Sequence, residues 1–126
     1  MLLRVLAAVS GVYDILVGVS LLAARPLLMQ VFGLSAPSPA IHADLNGLFT
    51  LAIGVGYLLP FRDPVRYRAY LWIMGPALKG TGAVWFIVDH VVRESPLVYL
   101  WFAAADGTLA LVTLWALVKT SAKPDP

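Results

Sequence analysis

Four long runs of apolar residues constrain this chain more than any other feature. A helix needs about 20 mostly apolar residues to cross the roughly 30 Å hydrocarbon core of a bilayer. Residues 2–22, 41–59, 70–92 and 96–118 each have about that length, with Pro26 as the outer limit of the first run and Pro60 as the stop of the second. Of the 126 residues, 60% are apolar and only 13% are charged. An ordinary soluble domain is about 45–50% apolar and about 25% charged, and a small domain has too much surface for its volume to hide such an excess. The balance excludes a typical soluble domain, a disordered chain and a nucleic-acid module. It points to the bilayer as solvent. The expected fold is all-α: one domain, residues 1–126, built as an integral membrane up-down four-helix bundle, because short connections make sequential helices antiparallel.

The connections carry turn chemistry. Residues 32–40 are rich in Gly, Ser and Pro, residues 60–68 form a short charged loop, and residues 93–96 form a tight turn. Pro96 suits an early helical position. The tail from Lys119 to Pro126 is polar and expected to fray. The first residues, Met-Leu-Leu-Arg followed by an apolar run, look like a secretory signal. Asp14 interrupts its apolar core and no A-x-A site follows closely, so the segment is expected to stay as the first span.

Nine Lys and Arg face seven Asp and Glu, a net charge of +2, too small and scattered an excess for phosphate-backbone binding. The absence of cysteine excludes disulfides, thiolate metal sites and Cys nucleophiles. Basic residues in short loops set membrane orientation. Arg4, Arg62, Arg66, Arg68, Lys119 and Lys123 fall on one side, Arg25 and Arg93 on the other, and Lys79 lies inside the third span. Both termini are therefore expected on the cytoplasmic side of a bacterial inner membrane. Tyr57, Tyr67, Tyr70, Trp72, Tyr99 and Trp101 lie near span ends, as interfacial anchors do.

The first two spans align without gaps. Residues 10–22 match residues 46–58, pairing Gly11 with Gly47, Gly18 with Gly54 and Asp14 with Thr50. Seven residues are nearly two helical turns, so each pair of glycines shares a face. A weaker echo relates Lys79-Gly-Thr81 to Asp106-Gly-Thr108. Small residues let membrane helices approach closely and polar ones bridge them, which is sufficient reason for the glycines.

Thirteen of the sixteen charged residues fall at loops, ends or rims. The other three, Asp14, Lys79 and Asp106, fall within spans, where each costs roughly 2.5–3.5 kcal/mol on insertion scales. Helical spacing gathers Ser10, Gly11, Asp14 and Gly18 on one stripe, Gly75, Lys79, Gly82 and Phe86 on a second, and Ala103, Asp106, Ala110 and Thr113 on a third. The expectation is a buried cluster of Asp14, Lys79 and Asp106, with Ser10, Asn46, Thr50, Thr81 and Thr108 nearby. Asp14, Asp106 and Lys79 are the candidate catalytic groups. Ser10, Tyr13, Asn46, Thr50 and Trp85 are the candidate ligand-binding set. A carboxylic acid beside an ion pair can relay protons, hold a polar head such as a quinone carbonyl, or act as general acid and base. The alternative is a clasp that fixes helix register without any ligand.

His42, Asp44, Asp89, His90 and Glu94 collect at the opposite rim. They are of the right type for a divalent cation, but no HExxH-like spacing supports one. Ion pairs Asp89–Arg93 and His90–Glu94 at i,i+4, with Asp44 as a helix cap, account for them without a metal. No Gly-rich phosphate loop and no G-x-S-x-G elbow is present.

In size, in Arg4 near the start of the first span and in the Gly-rich first hairpin with Gly11, Gly18, Gly47 and Gly54, the chain resembles the DoxX-like group of small bacterial four-helix membrane proteins. That resemblance implies a role near quinone-linked oxidation or a membrane-bound redox complex. It does not supply Lys79 or the cluster. The leading expectation is a membrane protein whose mid-depth polar pocket binds a hydrophobic small molecule with a polar head, a quinone or isoprenoid-type lipid. Its partners would be the bilayer, membrane proteins or further copies of itself, and not nucleic acid. No cofactor is assigned. The alternatives are an intramembrane isomerase or cyclase acting on a lipid-like substrate, and an assembly subunit without a ligand of its own.

Overall fold

The computed structural model describes residues 1–121. Among them every regular element is helical. Helix α1 is Leu2–Ala23, α2 Arg25–Phe32, α3 Ile41–Gly56, α4 Leu58–Arg62 and α5 Arg68–Trp72. A π-helical segment, Ile73–Lys79, joins α5 to α6, Gly80–Arg93, and α7 is Tyr99–Ser121. Four stretches are long and apolar enough to cross a membrane: Leu2–Ala23, Ile41–Arg62, Arg68–Arg93 and Tyr99–Ser121. The chain forms two compact units, one of Ala8–Leu58 and one of Met1–Ala7 with the chain from Leu59 onward.

In the unit Ala8–Leu58, α1 and α3 meet backbone to backbone. A methyl group placed on Gly18 would lie 2.6 Å from the Leu51 nitrogen and 2.8 Å from the Gly47 carbonyl oxygen. One on Gly54 would lie 2.7 Å from the Ile15 nitrogen and 2.9 Å from the Gly11 oxygen. The glycines of the sequence repeat thus pair crosswise, Gly11 with Gly54 and Gly18 with Gly47, as two antiparallel helices require. Tyr57 differs from its expected place as an interfacial anchor. It is buried, because its Cβ packs into the space left by the missing side chain of Gly11.

Several boundaries also differ from expectation. Pro60 does not stop the second span. Helix α3 breaks at Tyr57, and Pro60 falls in the first turn of α4, where an N–H has no intrahelical partner to lose. Helix α2 was not expected. Its Pro26 stands in the first turn, and Gly33, at φ 63°, ends it in a left-handed turn that returns the Leu34 N–H to the Met29 carbonyl. Pro96 precedes α7 and opens a run of three-residue turns, Tyr99 to Pro96, Leu100 to Leu97 and Trp101 to Val98. Lys119 to Ser121 are helical rather than frayed. Lys123 and the rest of the tail lie outside the described residues.

In the other unit, α7 packs along the π segment and α6. Gly75 faces Thr113, Gly80 faces Ala110 and Gly107 faces Ala83. Arg68, at the start of α5, fastens the far end of α7. Its guanidinium donates to the Leu117 carbonyl, to Thr120 Oγ1 at 2.9 Å and to Ser121 Oγ at 2.5 Å. These acceptors all lie in the last described turn of α7.

Two predictions follow from these contacts. Gly18→Ala and Gly54→Ala, pressed against backbone atoms that cannot rotate aside, should each destabilise by about 1–3 kcal/mol, whereas Gly82→Ala, with nothing within 4 Å of its added methyl, should be neutral or slightly stabilising. Thermal unfolding in detergent reads the difference. Arg68→Ala should release the last turn of α7, seen as faster amide exchange from Leu117 to Ser121, with a loss of about 1 kcal/mol given how exposed most of these bonds are.

Candidate functional site

The site begins with a proline. Pro76 has no N–H, and in an α-helix its ring would meet the carbonyl four residues back. Here it lies inside the π-helical segment Ile73–Lys79. The wider π turn relieves that conflict and inserts an extra residue into the helical register. Sequence spacing put Gly75, Lys79, Gly82 and Phe86 on one stripe. In the structure Gly75 and Lys79 are buried, Ala83 is buried beside them, and Gly82 and Phe86 are half-buried, with Phe86 stacked on Tyr99 and Phe102 of α7. The stripe on α7 holds as expected, with Ala103, Ala110 and Thr113 buried and Asp106 half-buried among them.

Lys79, the last residue of that segment, faces α7. Its residue exposure is 6%, and its ammonium lies 3.4 Å from Asp106 Oδ1. The neighbouring contacts, Gly80 on Ala110 and Ala83 on Gly107, place the level of Asp106 about five residues beyond Lys79, roughly 7 Å along the helix. The four-carbon lysine stem is long enough to cover most of that rise. Lys79 stands eleven residues from one end and fourteen from the other of Arg68–Arg93, since 79 − 68 = 11 and 93 − 79 = 14. Asp106 stands seven residues into Tyr99–Ser121, since 106 − 99 = 7. The Asp106 side chain keeps 18% exposure, so the pair is enclosed without being sealed.

In the unit Ala8–Leu58, Ser10 and Asp14 are both buried, at 2% and 3% exposure, on the α1 stripe that the spacing predicted. Asp14 lies midway between the two crosswise glycine contacts of that helix, and Thr50, half-buried, occupies the corresponding midpoint of α3. Tyr13 is half-buried and Asn46 is exposed. Thr81 and Thr108 are exposed, and Thr81 turns its hydroxyl back onto the Ala77 carbonyl at 2.5 Å, a bond within its own helix. Trp85 is 72% exposed on α6 and lines an open groove instead of the buried stripe.

The rim residues sort into local pairs. Arg25 holds Asp44 at 2.6 Å and the Ala40 carbonyl at 3.1 Å, so Asp44 serves an ion pair and not the expected cap. Asp89 pairs with Arg93 at 2.9 Å, as the i,i+4 spacing predicts. His90 does not reach Glu94. Glu94 leaves the helix in a left-handed conformation at φ 54°, and the His90 Nδ1 lies 2.7 Å from the Ser95 carbonyl oxygen instead. Among the described residues no three His, Asp or Glu side chains gather where a metal ion could be held.

No protein-family model, no curated protein and no solved structure matches this chain.

An enclosed pair predicts a non-additive response. Lys79→Met alone leaves the Asp106 carboxylate enclosed without this cation and should destabilise by about 3 kcal/mol or more. The double variant with Asp106→Asn should recover much of that loss. A double-mutant cycle by thermal or denaturant unfolding in detergent measures the coupling.

Proposed function

We propose that the protein is a multi-pass membrane protein of the bacterial inner membrane, its four spans in up-down order and both termini cytoplasmic, that binds an apolar small molecule through a polar head at Lys79 and Asp106. The observation that carries this reading is the enclosed ion pair within two apolar helices, with Lys79 near the middle of its own and Asp106 about a third of the way along the other. Ionisable groups at such depth are costly and commonly mark ligand or proton sites. The pair offers a hydrogen-bond donor and an acceptor side by side, with apolar walls above and below. That is the chemistry needed by a quinone carbonyl or the polar end of an isoprenoid-type lipid.

Three further observations support it. Six of the nine basic residues fall on the side assigned to the cytoplasm. A π-helical segment adjoins the pair, and such segments frequently accompany functional sites. The resemblance to DoxX-like proteins, carried by Arg4 and the four glycines of the first hairpin, points toward quinone-linked chemistry. Asp14 is a further buried carboxylate, in the other unit, and belongs in the same test.

Titrating the purified protein with decylubiquinone and with farnesol, and reading retention by native mass spectrometry, tests the proposal. The expected result is retention of at least one probe, weakened at least tenfold in Lys79→Met and in Asp106→Asn, with partial rescue in Asp106→Glu. Retention of neither probe, or retention unchanged in both variants, would overturn it and leave the pair as a register clasp. Isomerisation or cyclisation of farnesol that Asp106→Asn abolishes would reassign the site to an enzyme.

A further inference from the structure

A second feature lies on α6, away from the buried stripe. An open cavity of about 330 Å³ is lined by Gly82, Trp85, Phe86, Asp89, Val92 and Arg93, with Val88 beside them. Its walls are apolar along most of its length. Its floor is Gly82, which has no atom within 4 Å of where a Cβ would stand. A glycine in mid-helix costs about 1 kcal/mol relative to alanine, and no packing contact here requires one. What Gly82 provides is the depth of the groove.

The groove has a direction and a length. Gly82 to Arg93 is eleven residues, since 93 − 82 = 11, or roughly 16 Å at 1.5 Å per residue. Half of a roughly 30 Å hydrocarbon core is about 15 Å. Arg93 is the last residue of its membrane-length stretch, so the groove as a whole spans about one leaflet and its charged end falls at the boundary with water. Phe86 is held as one wall by stacking on Tyr99 and Phe102, each at 6.0 Å between ring centres.

The charged end carries both signs. Arg93 gives one nitrogen to Asp89 at 2.9 Å, and its side chain is 78% exposed. A guanidinium has five N–H donors, so several remain for a phosphate, which it can hold bidentately. The Asp89 carboxylate, 33% exposed, can accept from an ammonium group. A wholly anionic headgroup would meet Asp89 unfavourably, and a quaternary ammonium has no N–H to donate.

We propose that this groove is a binding site for one phospholipid whose headgroup carries a phosphate and a primary ammonium. One acyl chain lies along Gly82, Trp85, Phe86 and Val92, the phosphate sits on Arg93, and the ammonium faces Asp89. The inference rests on the membrane setting proposed above but not on Lys79 or Asp106, and its test uses neither residue.

The test is native mass spectrometry of the full chain in mild detergent, titrated in parallel with dioleoyl phosphatidylethanolamine, phosphatidylcholine and phosphatidylglycerol. The ethanolamine lipid should be retained at least fivefold better than the other two. Gly82→Leu, which fills the groove, and Arg93→Ala should each abolish that preference, while Val91→Leu, a lipid-facing change outside the groove, should preserve it. Far-UV circular dichroism confirms that each variant is helical. Equal retention of the three lipids, preference for phosphatidylglycerol, or a preference that survives Gly82→Leu would overturn the proposal.

Discussion

An ammonium group enclosed between apolar helices has to be answered by a carboxylate, and much of one unit is arranged around that requirement. Lys79 reaches Asp106 at 3.4 Å from the end of the π segment that holds Pro76. Ala83, one turn further on, is buried on the same side. The small residues Gly75, Gly80, Gly107 and Ala110 let the helices approach closely around the pair. Charge, register and packing are one solution to one problem.

The two units answer different demands. Between α1 and α3 the closeness is set by main-chain atoms, with glycines on both helices meeting crosswise. Nothing in such a contact can adjust by changing a rotamer, so it is stiff. Where α7 meets the π segment and α6 the contacts are made by side chains, Thr113 against Gly75 and Ala83 against Gly107, which leave room for rearrangement. The stiffer seam holds the buried Asp14, and the softer one holds the ion pair.

Much of this was legible in the sequence because it depends on length and on residue size. The spans follow from runs of apolar residues, and the first agrees with its expected limits to within a residue. The crosswise glycine seam follows from a seven-residue spacing, and the α7 stripe follows from an unbroken helical period. The meeting of Lys79 with Asp106 was legible from the cost of leaving either alone. What the sequence concealed depended on local departures from the ideal helix. The π turn at Pro76 is one such departure, because no regular helical period announces it. The burial of Tyr57 is hidden because an aromatic near a span end looks like an anchor until its glycine neighbour is known. The exposure of Asn46 and Trp85 is hidden because helical spacing alone does not say which side of a helix is covered. The pairing of Asp44 with Arg25 depends on a non-local fold of the chain that no short window contains.

The crosswise glycine contacts also determine where this chain can change its length. Both contacts between α1 and α3 must be satisfied at once, and each helix contributes its two glycines at the same spacing. One residue inserted between Gly11 and Gly18 would turn the later contact by about 100° and replace a glycine with a side chain against backbone. The segment from Arg25 to Ala40 has no such arithmetic, because it needs only to return the chain to the start of α3. Insertions and deletions in relatives of this hairpin should therefore collect in that connection and avoid the twelve residues that lie between the paired glycines, six within each helix.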